Sequence, residues 1–504
     1  MTNTWSTYRI VCLSTVLISV LIGIFTTHYQ YVINPDGVYY LWSAEFIQQG
    51  KWNAALSIFP WPLYSILIAA LSNLSTLDAI STALVINIVF SAASAWVFIA
   101  IVRQLFGDQQ KIILFAAILI TLHVGLNDWR PVIIRDHGYI LFSLVAIYAG
   151  IHQSKAPSFF TVFITGIAAL LATLFRIEGI AIVILALAYP IIVNRCRRPY
   201  TLQALLLILI ASIIGFTAIV ALDMNTNLAA IHSHITNSTI IYSNNIELIT
   251  RKLTDIFPKF EKNNASTAYY VISLLFFVSG SLLIIRFHVF ILFIYYMYIN
   301  KIHKNTKVNF FILYYSSGLS VVLIAFACLN FFFVERYAFL LSIIMTIPAA
   351  AAMAHIHDGW QSKKTPWIPK RPWTLQRYIF PIFFTIFLID FNDQIIPRKS
   401  NIIHITEAAK WLSKNVPKKS NIASNDPRIL YYAGSKIIDG DDIVRRVTDA
   451  NADPDIYWGA YDFIALVVTK EPKRARQFYD AGMTPVATIE GVKNDLVLIF
   501  DQRH

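Results

Sequence analysis

Long runs of apolar residues occupy most of the first three quarters of the chain. A helix needs about 20 mainly apolar residues to cross the hydrocarbon layer of a membrane. Five runs meet this length almost without charged residues: 10–27, 79–102, 204–222, 268–285 and 310–333. Apolar runs of this length are typical of membrane spans and not of soluble cores. The pattern therefore predicts an α-helical polytopic membrane protein.

Weaker apolar stretches add further predicted spans. They lie near 112–126, 132–150, 158–175, 177–193, 337–354 and 378–392. The stretch 287–300 is also apolar, and we interpret it as an extension of the preceding helix, because a separate span would move the next basic connector across the membrane. The expected total is about 11–13 transmembrane helices, and no internal repeat is visible.

Composition and charge agree with this prediction. Of 504 residues, 57% are hydrophobic and 14% are charged, and the mean hydropathy is +0.58. A soluble domain has nearer 25% charged residues. The net charge of +12 is concentrated in four short connectors: 103–111, 195–198, 301–307 and 363–377. The positive-inside rule places such connectors in the cytoplasm, so we expect membrane lipids and no nucleic acid as partners.

Two segments depart from the spanning pattern. Residues 38–72 are rich in Tyr and Trp and too short in apolar length to span comfortably, so we predict helices lying in the membrane interface. Beyond Asp390 the chain becomes polar. Short apolar runs there predict strands at 420–423, 463–469, 486–489 and 496–500, with helices at 408–415 and 473–481. We therefore predict a transmembrane domain, 1–392, and a soluble extracytoplasmic α/β domain, 393–504.

Four clusters of ionisable residues flank the predicted spans on the outer side. A charge near the middle of a membrane costs at least about 2.5–3.5 kcal/mol, so these clusters are the best candidates for function. They are Asn34–Pro35–Asp36–Gly37; Arg130 with Arg135, Asp136 and His137; Arg176 with Glu178; and Glu335–Arg336–Tyr337. Each also has an ordinary structural interpretation: a turn, a helix N-terminus, a polar turn between spans, and a helix end that reaches the interface.

The side chains also indicate a chemistry. Guanidinium groups match the geometry of phosphate, so Arg130 and Arg135 are candidate phosphate ligands. Arg176 and Glu178 stand two residues apart and would point to different sides of one helix, so they need not pair with each other. A helix break near Gly179 would lower the cost of both charges.

The order of these motifs resembles a known class of membrane enzymes. The motifs are the Pro-Asp-Gly loop, a Phe-Pro-Trp-Pro-Leu-Tyr stretch ending at Tyr64, an Arg-Asp pair, an Arg-Ile-Glu-Gly turn, and a late Arg-Tyr pair. Together they resemble the GT-C class of glycosyltransferases, in particular the bacterial family of the aminoarabinose transferase of lipid A and the protein O-mannosyltransferases. The segments 408–417 and 425–434 resemble the soluble domain appended to many such proteins. The chain differs from the pattern at Gly37, where several relatives have Glu, and at Trp61, where the aminoarabinose transferases have Lys.

The resemblance implies a reaction and a set of roles. A sugar passes from a polyprenyl-phosphate donor to a lipid, glycan or protein acceptor at the extracytoplasmic face of the inner membrane. Asp36 corresponds to the catalytic base, and Asp136 to the second acidic position of the catalytic site, which orients the acceptor or binds a cation. The implied phosphate ligands are Arg135, Arg336, Tyr337 and Arg130, with Glu335, Arg176, Glu178, His137 and Tyr64 in support. The resemblance implies no definite cofactor, and whether Asp36 or Asp136 binds a divalent cation is left open.

Two other functions remain as alternatives. A surface-polysaccharide polymerase or ligase usually depends on an outer loop rich in arginine, whereas residues 223–267 contain only Arg251. A membrane transporter favours broken, charged helices near the midplane and internal repeats. Here the unusual charges gather at the outer ends of the spans. The glycosyltransferase prediction requires Asp36, Asp136 and Arg336 to line one pocket that lipid can enter.

Overall fold

The computed structural model describes residues 2–28, 32–193, 242–252, 262–303, 306–361, 373–395, 403–451, 458–468, 482–491 and 495–503. Seven helices in these ranges are long and apolar enough to cross a membrane. Four shorter apolar helices accompany them, at Leu63–Leu74, Phe159–Phe175, Gly179–Val193 and Phe287–Ile299. The protein is a helical integral membrane protein, as the apolar runs predict.

The helices of the membrane part follow the predicted spans closely. In chain order they are α1 (Thr2–His28), α2 (Pro35–Gln48), α3 (Trp52–Ile58), α4 (Leu63–Leu74), α5 (Ala79–Phe106), α6 (Gln110–Thr121), α7 (Val124–Trp129), α8 (Asp136–Lys155), α9 (Phe159–Phe175), α10 (Gly179–Val193), α11 (242–252), α12 (Lys262–Ile285), α13 (Phe287–His303), α14 (Thr306–Asn330), α15 (Phe339–Gln361) and α16 (Trp373–Ile395). A short 3₁₀ helix, Glu335–Ala338, links α14 to α15. The region predicted to be interfacial, 38–72, forms the three short helices α2 to α4.

One predicted helix boundary is wrong. The stretch 287–300 does not extend the preceding helix, because Arg286 adopts a left-handed backbone conformation (φ 63°) that ends α12 and begins α13. A non-glycine residue with positive φ is uncommon and interrupts regular helix geometry. The charged Arg286 separates two apolar stretches, but a single charged residue does not by itself reveal a break in the helix.

Helix α12 packs against the connection between α14 and α15. The Tyr269 ring stacks on Phe331 at 4.5 Å between centroids, and its hydroxyl donates to the Cys328 carbonyl at 2.7 Å. Further along, a Cβ on Gly280 would lie 2.6 Å from Phe333. This close packing fixes the segment that leads into Glu335–Ala338.

The contacts divide the chain into two compact units. Unit 1 contains Met1–Ile22, Val89–Asp128 and Asp136–Gln394. Unit 2 contains Gly23–Ile88, Trp129–Arg135 and Ile395–His504, so it combines helices α2 to α4 with the C-terminal region. In unit 1, α8, α9 and α10 pack together, and α15 packs against α6 and α13.

The C-terminal region of unit 2 is a small α/β structure, as predicted. Its elements are α17 (Ile403–Asn415), β1 (Ile422–Ser424), α18 (Pro427–Tyr432), α19 (Gly440–Asn451), β2 (Phe463–Val468), β3 (Ala487–Glu490) and β4 (Leu496–Asp501). The sheet order is β1-β2-β4-β3, with β1 parallel to β2 and the other neighbours antiparallel. The strands bury a core that includes Ile464, Leu466, Leu498 and Phe500.

Several predictions fall outside the described residues. These are the connector 195–198, the span 204–222, most of the connector 363–377, much of the loop 223–267 and the helix 473–481.

Candidate active site

The acidic residue at the start of α8 is buried and paired with an arginine. Asp136 is 3% exposed, and its Oδ1 accepts a hydrogen bond from Nη1 of Arg176. Both residues belong to unit 1, and Arg176 is 4% exposed. A buried carboxylate is costly unless it is paired, and Arg176 supplies the opposite charge beside Asp136.

Arg176 also pairs with Glu178, a pairing that the sequence left open. Its Nε donates to Oε2 of Glu178 at 3.2 Å, and its Nη2 donates to Oε1 at 2.6 Å. The two side chains would point to different sides only within one continuous helix. Instead α9 ends at Phe175, and Arg176 has extended backbone angles (φ −149°, ψ 136°) that turn its side chain toward Glu178.

The helix break that was predicted near Gly179 is confirmed. Helix α10 begins at Gly179, and a Cβ there would lie 2.3 Å from the backbone nitrogen of Thr173. Only glycine fits this close approach of two backbone segments. The same turn therefore brings both charges of Arg176 and Glu178 together.

An aromatic ring lies beside two guanidinium groups in unit 1. The Arg176 Cζ is 4.7 Å from the centroid of the Tyr337 ring, and the Arg336 Cζ is 5.8 Å from the same centroid. Tyr139 adds a ring 5.9 Å from the Arg176 Cζ. Glu335, Arg336 and Tyr337 belong to one 3₁₀ turn, so this short element carries three of the predicted site residues.

His137 is buried next to Asp136 but has its own partner. Its Nδ1 lies 3.0 Å from the Ser91 hydroxyl, and its ring meets Phe339 edge-on at 6.3 Å. His123, which was not predicted as a site residue, stacks on the same Phe339 at 5.9 Å and contacts Ser342 through Nε2 at 3.1 Å. Both imidazoles thus pack on the first residue of α15, two residues after Tyr337.

The predicted base lies in the first turn of α2, in unit 2. Pro35 is the first residue of the helix and Asn34 occupies the N-cap position without a capping hydrogen bond from its side chain, so Asn34–Gly37 forms a helix start and not an isolated turn. Asp36 is partly buried. A carboxylate at this position interacts favourably with the helix dipole.

Two arginines of the segment 129–135 also belong to unit 2. The Arg135 guanidinium stacks over the Phe59 ring at 4.8 Å, just before the Pro-Trp-Pro motif. Arg130 is 1% exposed, and burial lowers its pKa to about 10, so it still carries a positive charge at neutral pH. The segment therefore brings two cations to this unit.

Tyr64 is buried and connects α4 to α5 through a hydrogen bond to Asn87. Its hydroxyl donates to Oδ1 of Asn87 at 2.9 Å, and Asn87 in turn donates to the Val132 carbonyl at 2.7 Å. The Tyr64 ring meets Tyr40 edge-on at 5.3 Å. Asn87 was not among the predicted site residues, although it is the only amide side chain in the apolar run 79–102.

Within the part of the chain that the structure describes, no three His, Cys, Asp or Glu side chains form a group able to hold a metal ion. Asp136 is paired with the guanidinium of Arg176. A cation bound by Asp136 would therefore share the carboxylate with Arg176.

In its arrangement of helices the chain resembles two solved enzymes of the GT-C class. The chain is similar to ArnT from Cupriavidus metallidurans bound to undecaprenyl phosphate, with a TM-score of 0.59, 11% identity and 97% of each chain covered. For apo ArnT the TM-score is 0.53, with 12% identity and the same coverage. It is also similar to the archaeal oligosaccharyltransferase AglB from Archaeoglobus fulgidus, in complex with an inhibitory peptide and a dolichol-phosphate. There the TM-score is 0.51 with 14% identity.

The likeness establishes the fold. The expected GT-C-like architecture, with many helices followed by a small C-terminal α/β region, is confirmed. The match to AglB covers 81% of this chain and 58% of AglB, so the chain spans less than two thirds of that enzyme's length. No protein-family model matches the sequence, and no curated protein matches it.

Proposed function

We propose that the protein is a glycosyltransferase that moves a sugar from a polyprenyl-phosphate donor to a lipid, glycan or protein acceptor. The fold supports this proposal, because one structural neighbour is bound to undecaprenyl phosphate and another to a dolichol-phosphate and a peptide. In the proposal, residues 1–392 form the transferase domain in the inner membrane, and residues 393–504 form an extracytoplasmic domain.

The observation that carries the proposal is the cluster around Tyr337. Two guanidinium groups, of Arg176 and Arg336, lie beside this ring, and Arg176 is paired with two carboxylates. Arrangements of this kind are costly among apolar helices and are typical of functional sites. Fixed cations stabilise a lipid phosphate more strongly there than in water, because the local dielectric constant is low.

The proposed reaction is a displacement at the anomeric carbon of the sugar. Asp36 accepts the proton of the acceptor hydroxyl, and the acceptor oxygen forms a bond to that carbon. The bond between this carbon and the lipid phosphate breaks, and the polyprenyl phosphate leaves with the bonding electron pair. Arg336, Arg135 and Arg130 stabilise its negative charge.

The remaining predicted residues have supporting roles in the proposal. Asp136 orients the acceptor, or holds a divalent cation together with or in place of Asp36. The supporting groups are Tyr337, Glu335, Arg176, Glu178, His137 and Tyr64.

The first experiment compares carboxylate variants in a transfer assay. Membranes containing the protein are supplied with labelled polyprenyl-phosphate sugars, and transfer of label to envelope lipids, glycans and proteins is measured. We expect Asp36→Asn to lower the rate by about 10²-fold or more, the usual contribution of a general base. Asp136→Asn should also lower the transfer rate.

Glu45→Gln is the matched control, since this carboxylate is on the same helix and its partner Tyr431 can still donate to the amide oxygen. Undiminished transfer by Asp36→Asn would contradict the assigned base.

The second experiment tests the lipid half of the donor alone. Binding of undecaprenyl phosphate to the purified protein is measured by native mass spectrometry, which needs no knowledge of the sugar. Arg336→Ala should weaken binding, whereas Arg103→Ala should not, because Arg103 pairs with Asp108 near the end of α5. If the wild-type protein fails to bind the lipid phosphate, the proposed donor class is wrong.

A further inference from the structure

The C-terminal α/β region contacts the chain directly before the proposed base. The backbone N–H of Ile33 donates a hydrogen bond to the hydroxyl of Tyr432 at 2.9 Å, across 399 positions of sequence. Ile33 is buried and lies just before the cap residue of α2. A buried backbone N–H needs a partner, and at this position the partner comes from α18.

Other contacts hold the same helices. The Tyr431 ring meets Trp42 at 5.8 Å, and its hydroxyl bonds to Glu45. Ser57, at the end of α3, accepts a hydrogen bond through its Oγ from the Gly440 N–H at 3.0 Å. A Cβ on Gly440 would lie only 2.3 Å from the Ser57 carbonyl, so the two backbones are in direct contact. Helices α2 and α3 are therefore attached to the C-terminal region at several points.

The contact to Ile33 differs from the others in its distance from Asp36. Ile33 is three residues before Asp36 and fixes the backbone on which α2 begins, whereas Glu45 is more than two turns further along the helix. Asp426 of the C-terminal region also lies close to this end of α2. Burial raises the pKa of Tyr39, and both Asp36 and Asp426 raise it further.

We propose that Tyr432 is a positioning residue for Asp36. Its hydroxyl holds the Ile33 N–H, and the C-terminal region thereby sets the orientation in which α2 presents the carboxylate to the acceptor. The inference rests on the proposed function, because it takes Asp36 as the base. It assigns the C-terminal region a direct effect on catalysis.

The test compares two adjacent hydroxyl deletions in the full-length protein. Tyr432→Phe should lower kcat roughly tenfold, the rate equivalent of one lost hydrogen bond, and leave KM for the donor unchanged. Tyr431→Phe removes a hydroxyl from the neighbouring contact to Glu45 and should leave kcat near the wild-type value. A merely structural role would lower thermal stability and kcat in both variants alike.

The double variant with Asp36→Asn sharpens the test. If Tyr432 acts through Asp36, Tyr432→Phe causes no further loss of rate in the Asp36→Asn background. An equal loss in both backgrounds, or a wild-type kcat in Tyr432→Phe, would overturn the inference.

Hydrogen exchange separates this inference from the proposed function. Without substrate, Tyr432→Phe should speed amide exchange in peptides covering 32–48, and Tyr431→Phe should not do so at residues 32–36. If exchange responds in this way but Asp36→Asn transfers sugar normally, the base assignment fails while the contact remains. If exchange at 32–36 is unchanged in Tyr432→Phe, the positioning role itself is wrong.

Discussion

The side-chain amide of Asn34 forms two hydrogen bonds with the backbone of Ile133. Its Oδ1 accepts from the Ile133 N–H at 3.0 Å, and its Nδ2 donates to the Ile133 carbonyl at 3.2 Å. A Cβ on Gly37 would lie 3.0 Å from the Ile133 side chain, so the two segments are in close contact. The start of α2, with Asp36, is therefore attached to the segment that carries Arg130 and Arg135.

Replacing Asn34 by Ala should impair both stability and transfer. The buried Ile133 N–H and carbonyl would lose their partners, at a cost of about 1–3 kcal/mol in the free energy of unfolding. Because Asp36 follows two residues later, we also expect kcat to fall. Transfer assays and thermal unfolding of the purified protein measure both effects.

The chain contains a matched control for this prediction. Asn425 makes the same pair of hydrogen bonds to Val467, at 2.8 and 3.0 Å, inside the C-terminal region. Asn425→Ala should lower stability by a similar amount and leave kcat near the wild-type value. Equal losses of kcat in the two variants would show that Asn34 has no special relation to Asp36.

Gly179→Ala should disrupt the turn between α9 and α10. The added Cβ would lie 2.3–2.5 Å from backbone atoms of Thr173 and Ala172, which cannot rotate away. Overpacking of this kind costs about 1–3 kcal/mol or more, and here it also displaces Arg176 and Glu178. The thermal unfolding midpoint and the transfer rate should both fall.

Gly318→Ala is the control for that substitution. Its added Cβ would lie 2.5 Å from a terminal methyl group of Leu185, which can move to another rotamer. Alanine is also the better helix former, so this change should be tolerated. If Gly179→Ala is tolerated equally well, the close backbone approach is not essential.

Much of the helical architecture could be predicted from the sequence, because a lipid environment forces apolar side chains into long continuous runs. The predicted spans 158–175 and 177–193 match α9 and α10 within two residues at each end. The break at Arg286 could not be predicted in this way. It depends on the backbone angle of one residue within a stretch that is apolar on both sides.

The charged residues could be selected from the sequence, but their partners could not. On one continuous helix Arg176 and Glu178 would point to different sides, but the extended backbone at Arg176 brings them together. The contact between Asn34 and Ile133 spans 99 positions, and that between Ile33 and Tyr432 spans 399. Such pairings depend on the fold of distant segments, which local sequence patterns do not encode.

His404 should make the C-terminal region less stable in mild acid. Its ring is buried against Gly491, and among the described residues neither ring nitrogen has a hydrogen-bond partner. Burial lowers the pKa of His404, and Arg428 adds to this effect, while Asp495, Asp426 and Glu407 oppose it.

The direction of the pH dependence follows from this lowered pKa. The unfolded chain binds a proton near pH 6.5, whereas the folded chain does not until the pH is lower. The stability is therefore fully present above about pH 6.5 and decreases below it, by at most about 1.4 kcal/mol per pH unit. His404→Leu should reduce this dependence, and the exposed His152→Leu should not. The pH dependence of stability is measured by hydrogen exchange of residues 403–415 in the intact protein, corrected for intrinsic exchange rates. Identical pH profiles for wild type and His404→Leu would contradict the prediction.

Substitutions of the buried charged residues in unit 1 should lower the free energy of unfolding by different amounts. Arg176→Gln leaves the carboxylates of Asp136 and Glu178 buried without their common cation, which should cost about 3–5 kcal/mol. Asp136→Asn should cost less, because Arg176 still pairs with Glu178. The double variant, which combines Arg176→Gln with Asp136→Asn, should be more stable than Arg176→Gln alone, because one of the two unpaired carboxylates has been removed. Thermal unfolding of the purified protein tests this order. If the loss of stability in the double variant equals the sum of the losses in the two single variants, these residues do not act as one charge cluster.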